Sequence, residues 1–284
     1  MITRNPMQLK AIIKKTAAEK KISAQLVMQN YMLERLLERI SLSKYKYNFI
    51  LKGGFLISAI VGLETRTTMD LDTTVKGFTL THESIRGIFS EICDLRLNDD
   101  VNFDLIGISD IREEDDYPGI RLALKANYLP ISVPLTVDVT TGDIITPREI
   151  KYTIPLMFDD GSINVLAYNI ETILAEKIET VLSRSIANTR LRDFYDIYIL
   201  YALRETECNP STLRQALEQT AAKRGTQKAL QLYPDIIMKI RASKQLQGFW
   251  ERYQRDSDYA KDISFDDTCD SILRIMDSVI DTSS

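Results

Sequence analysis

LKGGFLISAIVGLETRTTMDLDTTV (51–75) changes its hydrophobic period twice within one short stretch. The apolar run YNFIL (47–51) is interrupted by Lys52-Gly53-Gly54. FLISAIVGL (55–63) then has helical length, and MDLDTTV (69–75) reads as a strand. A strand, a glycine turn, a helix and a second strand therefore follow one another. The second strand carries two carboxylates, Asp70 and Asp72, two residues apart.

Upstream, residues 7–20 and 23–42 read as two helices. Ser23 is the N-cap of the second, and Leu26, Met32, Leu33, Leu36, Leu37 and Ile40 recur at helical spacing. Downstream, Ile85, Ile88, Phe89 and Ile92 mark one face of another helix. From about 101 to 168 the period drops to two. Ile120, Leu122, Leu124, Ala126 and Tyr128 alternate with polar positions, as do Val133, Leu135, Val137 and Val139. These are half-buried strands of a mixed or antiparallel sheet. From Ile170 the pattern is helical to the end, and the acidic stretch 256–284 is expected to fray. The plan is an α+β domain with N-terminal helices over 1–168 and an α-helical C-terminal domain over 169–284.

Composition narrows the function. Of 284 residues, 44% are hydrophobic and 27% charged, which is ordinary for a soluble globular protein. No apolar run reaches the roughly 20 residues that span a bilayer, so no membrane partner is expected. MITRNPMQLKAIIKK shows no apolar run ending in a small-residue cleavage site, so no secretory signal is expected. Cys93, Cys208 and Cys269 are few and scattered, which suits free thiols in a reducing cytoplasm. The net charge of −4 argues against passive coating of nucleic acid but leaves room for a local basic patch. His82 is the only histidine and sits near a helix start, as a surface or capping residue. Any chemistry must then fall to carboxylates, lysines and arginines.

Five features carry such chemistry. Asp70 and Asp72 on a strand project from one face. They are either a solvated acidic strand end or a pair of hard oxygen ligands for Mg²⁺. Gly53-Gly54 is either a tight turn or a close-approach point for phosphate at a helix N-terminus. Asp138, in PLTVDVTTGD, lies on the strand face opposite Val137 and Val139. It is a solvent-facing residue, a base or a third metal ligand, with Asp104 in VNFDLIG as rival. Lys177 falls inside the apolar stripe Ile170, Ile173, Leu174, Ile178, Val181 and Leu182, so it either snorkels out or points at an anion. In LRDFYDIYIL (191–200), Asp193 and Asp196 lie three apart on a helix apolar nearly all round. Buried carboxylates need partners, and Lys177, Arg190 and Arg192 are the candidates.

In this order the pieces resemble the AbiEii/AbiGii toxin family, a branch of the nucleotidyltransferases. LKGGFLISAIVGLETRTTMDLD matches its leading motif through Arg66, Thr68, Asp70 and Asp72, with Thr68 where serine is more usual. LAEKIETVLSRSIANTRLRDFYDI matches its later motif through Ala175, Lys177, Arg184, Arg192, Asp193 and Asp196. The resemblance spans roughly residues 45–205 and gives no account of the leader or the last helices. It implies a nucleotidyltransferase fold and a toxin of toxin–antitoxin and phage-defence pairs. A separately encoded antitoxin would oppose it, without a stable complex in the abortive-infection type. It implies a nucleoside triphosphate as substrate, an RNA acceptor at the 3′ end of tRNA, and Mg²⁺ or Mn²⁺. In the mechanism it implies, Asp70 and Asp72 hold the metal, with Asp138 as base or third ligand. Gly53, Gly54, Arg66, Thr68, Lys177, Arg192 and Asp196 bind the nucleotide, and Asp193 orients Lys177 or contacts the nucleotide. The alternatives are a phosphotransferase toxin of related fold and a triphosphate-binding protein without catalysis. The intact Asp70-Leu71-Asp72 argues against the latter, because decay should strike metal ligands early.

Overall fold

Short polar side chains set where the first helices start. Asn5 accepts the Met7 amide at 2.9 Å and Pro6 occupies the first turn, so α1 runs Pro6–Lys20. Ser23 accepts the Leu26 amide at 3.1 Å and caps α2, Ala24–Leu42. The structure, a computed structural model, describes residues 5–111 and 119–281. It comprises two compact units, Met1–Asp143 with Ile150–Ala167, and Ile144–Glu149 with Tyr168–Ser284.

In the first unit the helices are followed by β1 (Phe49–Lys52), α3 (Gly53–Val61), β2 (Asp70–Val75) and α4 (His82–Asp94). Then come β3 (Asn102–Asp110), β4 (Gly119–Tyr128), β5 (Ile131–Thr141), β6 (Ile150–Pro155) and β7 (Ser162–Ala167). All seven strands form one mixed sheet in the order β3-β4-β5-β2-β1-β7-β6. The early strand–helix–strand unit is thus the middle of the large sheet. β2 runs parallel to β5 and β1 parallel to β7, while β1 and β2 are antiparallel. Val133, Leu135, Val137 and Val139 are buried beside Leu71 and line the apolar face.

The leader helix α2 packs against β5 and β7 and buries Leu33, Leu36 and Leu37. It also buries two arginines. Arg39 grips Asp99 with two contacts at 2.8 Å and donates to the Leu95 and Val101 carbonyls, tying the helix to the chain entering β3. Arg35 pairs with Glu34 and Glu38. Such pairs confer register more than stability, but losing one partner leaves a buried charge.

The second unit holds α5 (Ile170–Arg184), α6 (Leu191–Arg204), α7 (Pro210–Arg224), α8 (Gln227–Gln231), α9 (Tyr233–Ala242), α10 (Lys244–Asp256) and α11 (Phe265–Asp281). Asn169 and Asn209 cap α5 and α7 through the Thr172 and Thr212 amides. The expectation that 256–284 frays is wrong for 265–281. Phe265, Cys269, Ile272, Ile275, Met276 and Val279 make a continuous buried stripe on α11, and Phe265 packs on Phe194 and Trp250. Acidity marks only the outer face of an amphipathic helix. All three cysteines are free, and burial pushes the Cys208 thiol up to about 12, which suits packing and not nucleophilic chemistry. Among the described residues, no helix is long and apolar enough to cross a membrane.

Candidate active site

The strand register builds a row of charges. Lys52 on β1 pairs with Asp72 on β2, Asp72 with Asp138 on β5, and Asp138 with Arg121 on β4. Register partners share a face. Across four neighbouring strands the charges therefore run plus, minus, minus, plus, on the side of the sheet opposite Leu71 and Val137. Asp70, two residues before Asp72, is on the same face, is exposed and pairs in register with Thr136.

Each cation in the row is committed to a carboxylate. Arg121 donates to both Asp138 oxygens, at 2.8 and 2.7 Å, a bidentate fork. The Lys52 ammonium lies 2.5 Å from Asp143, which also accepts from Thr140 at 3.0 Å. Asp72 accepts from the Gly54 amide, at 3.2 Å. Burial, and then the charge of Asp138, push the Asp72 carboxyl above the usual range, and the Gly54 amide and Lys52 do not offset them. The Arg121 pKa is raised by its hydrogen bonds to Asp138, with smaller contributions from Asp70 and Asp72.

The glycine pair is shaped by Asp72. Helix α3 begins on Gly53 itself, two residues earlier than the apolar run suggests, and Lys52 at its N-cap makes no side-chain cap. The Gly54 amide finds its acceptor in the Asp72 carboxylate, which therefore sits at the positive end of the helix. Gly53 has φ +64°, and a Cβ there would lie 2.1 Å from Asp72 Oδ2. A Cβ on Gly54 would lie 2.7 Å from Thr68 Oγ1 and 3.3 Å from the Arg66 guanidinium. Gly53, Gly54, Arg66, Thr68 and Asp72 are thus packed together, and Arg66 is buried and donates to the Thr67 carbonyl.

Two further residues support the site. Gln29 donates to the Met69 and Pro134 carbonyls at 3.2 and 2.8 Å, and Asn30 to the Thr68 carbonyl at 2.7 Å. They brace the chain entering β2 from α2. Motif spacing does not mark them; the only signal is two amides within an apolar helical stretch. Asp104, the rival carboxylate, is exposed on the edge strand β3 and accepts from Asn127. Three strand spacings separate it from β2, whereas Asp138 is in register beside Asp72. His82 opens α4 behind its N-cap Thr81 and contacts Asp110 at 2.7 Å.

In the second unit, Lys177 neither snorkels nor faces open solvent. Its ammonium lies 2.7 Å from Asp193 and 2.8 Å from Asp196. Arg190 reaches Asp193 at 2.9 Å. Burial opposes the charge on Lys177, but the two aspartates outweigh it and its pKa is raised. Arg192 is exposed and Arg184 partly so. Among the described residues, no three histidine, cysteine or acidic side chains form a group arranged for a metal ion, and Asp138 is held by Arg121.

Solved structures share this fold. A crystal structure from H. pylori, described as a candidate nucleotidyltransferase, superposes with TM-score 0.53 at 13% identity, covering 93% of this chain and all of that one. JHP933 from Helicobacter pylori gives TM-score 0.50 at 14% identity, covering 92% and 96%. At these identities the likeness concerns the fold alone, and it places the chain in the nucleotidyltransferase fold class. No curated protein matches. The model of the nucleotidyl transferase AbiEii toxins of type IV toxin–antitoxin systems matches residues 35–271, and the chain belongs to that family.

Two substitutions test this geometry. Gly53→Ala forces a left-handed backbone and displaces the Asp72 carboxylate. Urea unfolding should show a loss of at least about 1–2 kcal/mol, and no loss would contradict the close approach. Asp72→Asn should raise the melting temperature at neutral pH without added divalent metal. The folded pKa of Asp72 lies above its unfolded value, so ionised Asp72 costs stability at neutral pH. That cost fades as the pH falls through the raised pKa and is gone below the ordinary aspartate range, where the variant's advantage should vanish. A variant less stable than wild type at pH 7 would show that the carboxylate is well compensated.

Proposed function

We propose that the protein is a nucleotidyltransferase toxin that moves a nucleoside monophosphate from a triphosphate to an RNA 3′ end, with tRNA as the favoured acceptor. The observation that carries this reading is the juxtaposition of Asp72 and Asp138 in parallel register, with Asp70 on the same face. Two ionised carboxylates one strand apart repel, and hard oxygen donors so placed suit Mg²⁺ or Mn²⁺. Asp70 and Asp72 would hold the cation, with Asp138 as third ligand or base. When bound, the cation would neutralise charge on the triphosphate.

The chain's own residues supply the rest. The acceptor hydroxyl forms a bond to the α-phosphorus, the α–β bond breaks, and pyrophosphate leaves. The hydroxyl proton passes to a carboxylate of the row. Gly53 keeps side-chain bulk away from Asp72 and Gly54 keeps it away from Thr68, while Arg66 and Thr68 shape the approach for the nucleotide. In the second unit, Lys177 is assigned to phosphate, with Asp193 and Asp196 directing its ammonium and Arg192 offering an exposed guanidinium. In this reading the division near residue 168 separates the catalytic domain from a helical one. The protein works in the cytoplasm in phage defence by abortive infection, opposed by a separately encoded antitoxin that forms no stable complex with it.

Labelled triphosphates test the reaction. Incubation with cellular RNA and α-labelled triphosphates should leave label on RNA 3′ ends, and Asp72→Asn should abolish it. Transfer of γ-label instead would identify a phosphotransferase and sink the proposal. For Lys177, calorimetry with Lys177→Met should show triphosphate binding weakened by about 1.5–3 kcal/mol. Unchanged affinity in the folded variant would reduce Lys177 to a structural partner of its two aspartates.

A further inference from the structure

The row of charges contains two cations, and their settings differ. Lys52 and Asp143 are 17% and 1% exposed and form a buried pair. Separating them would strand a charge away from water, so that pair is fixed. Arg121 is 53% exposed and its partner Asp138 17%. Its guanidinium can leave Asp138 and stay solvated, but the mostly buried Asp138 carboxylate then needs another cation in its place. Yet it is the group that neutralises Asp138, beside Asp72 in register, and it also feels Asp70 and Asp72.

We infer that Arg121 is the resident counter-ion of the carboxylate row, displaced from Asp138 when a divalent cation binds and then available to the phosphates of the triphosphate. This rests on the metal-site reading above. A divalent cation and a guanidinium compete for Asp138, because the fork takes one lone pair of each oxygen and two cations held at one carboxylate repel each other. While Arg121 holds Asp138, the two neighbouring carboxylates coexist with one of them neutralised. On release, a planar five-donor cation stands one strand from Asp138, suited to phosphate oxygens. Arg121 is thus a positioning residue with two alternating partners, one anion of the protein and one of the substrate.

Opposite changes in two affinities test this on the full chain. Mn²⁺ binding is read from the electron paramagnetic resonance signal of the free ion, without nucleotide. Arg121→Gln should bind Mn²⁺ about tenfold more tightly than wild type, an ordinary coupling for two ligands sharing a group. With Mn²⁺ saturating, inorganic tripolyphosphate should bind the same variant about tenfold more weakly. Arg121→Lys, which keeps the charge but loses the fork, should shift Mn²⁺ affinity in the same direction by less. A purely structural salt bridge predicts no gain in Mn²⁺ affinity, so unchanged or weaker Mn²⁺ binding in folded Arg121→Gln overturns the inference. Asp72→Asn separates the layers. If it loses Mn²⁺ binding while Arg121→Gln equals wild type, only the role of Arg121 fails. If wild type binds Mn²⁺ no better than Asp72→Asn, the metal site fails and this inference with it.

Discussion

Asp72 and Asp138 repel one another across a single strand spacing, and the polar face of the first unit is organised around that repulsion. Two unit charges roughly 5 Å apart interact by about 3 kcal/mol at the effective dielectric of a protein. The fold places them side by side because β2 and β5 are parallel and in register. It then surrounds them with compensation: the Arg121 fork on one side, Lys52 on the other, and the Gly54 amide at the start of α3. This compensation is incomplete at Asp72, whose carboxyl stays above the usual range. Incomplete neutralisation is a cost to the folded state, and it is the condition under which a cationic ligand binds with the most gain.

The second unit meets a similar problem with a cation for each carboxylate. Lys177, Asp193, Asp196 and Arg190 form a network on α5, α6 and the residue before α6. Each carboxylate there has a cation within ion-pair distance. The contrast is informative. There two cations match two carboxylates, whereas Asp72 stays under-compensated, the setting that invites a cation.

Much of the architecture was legible in the sequence because hydrophobic period reports burial directly. The helices over 7–20 and 23–42, the Ser23 cap, the alternating strands and the helical second half follow from one-dimensional patterns, and the family resemblance agrees with the matched fold and family. The fraying expected for 256–284 failed because acidity was read without the buried stripe beside it. Gln29 and Asn30 were not legible as parts of the site, because their contacts span 40 and 38 residues. The same holds for Arg121, whose meaning depends wholly on its strand partner.

By itself the sequence determined the apolar faces of most helices and strands, and that Asp70 and Asp72 share a face. These are local matters, set by period and by a two-residue repeat along one strand. Only the tertiary structure decided which carboxylate stands beside Asp72, what the glycine pair accommodates, and which cations neutralise the row. Strand order and register are set by the pairing of segments far apart in the chain, and a shift of one residue would have turned Asp138 to the opposite face.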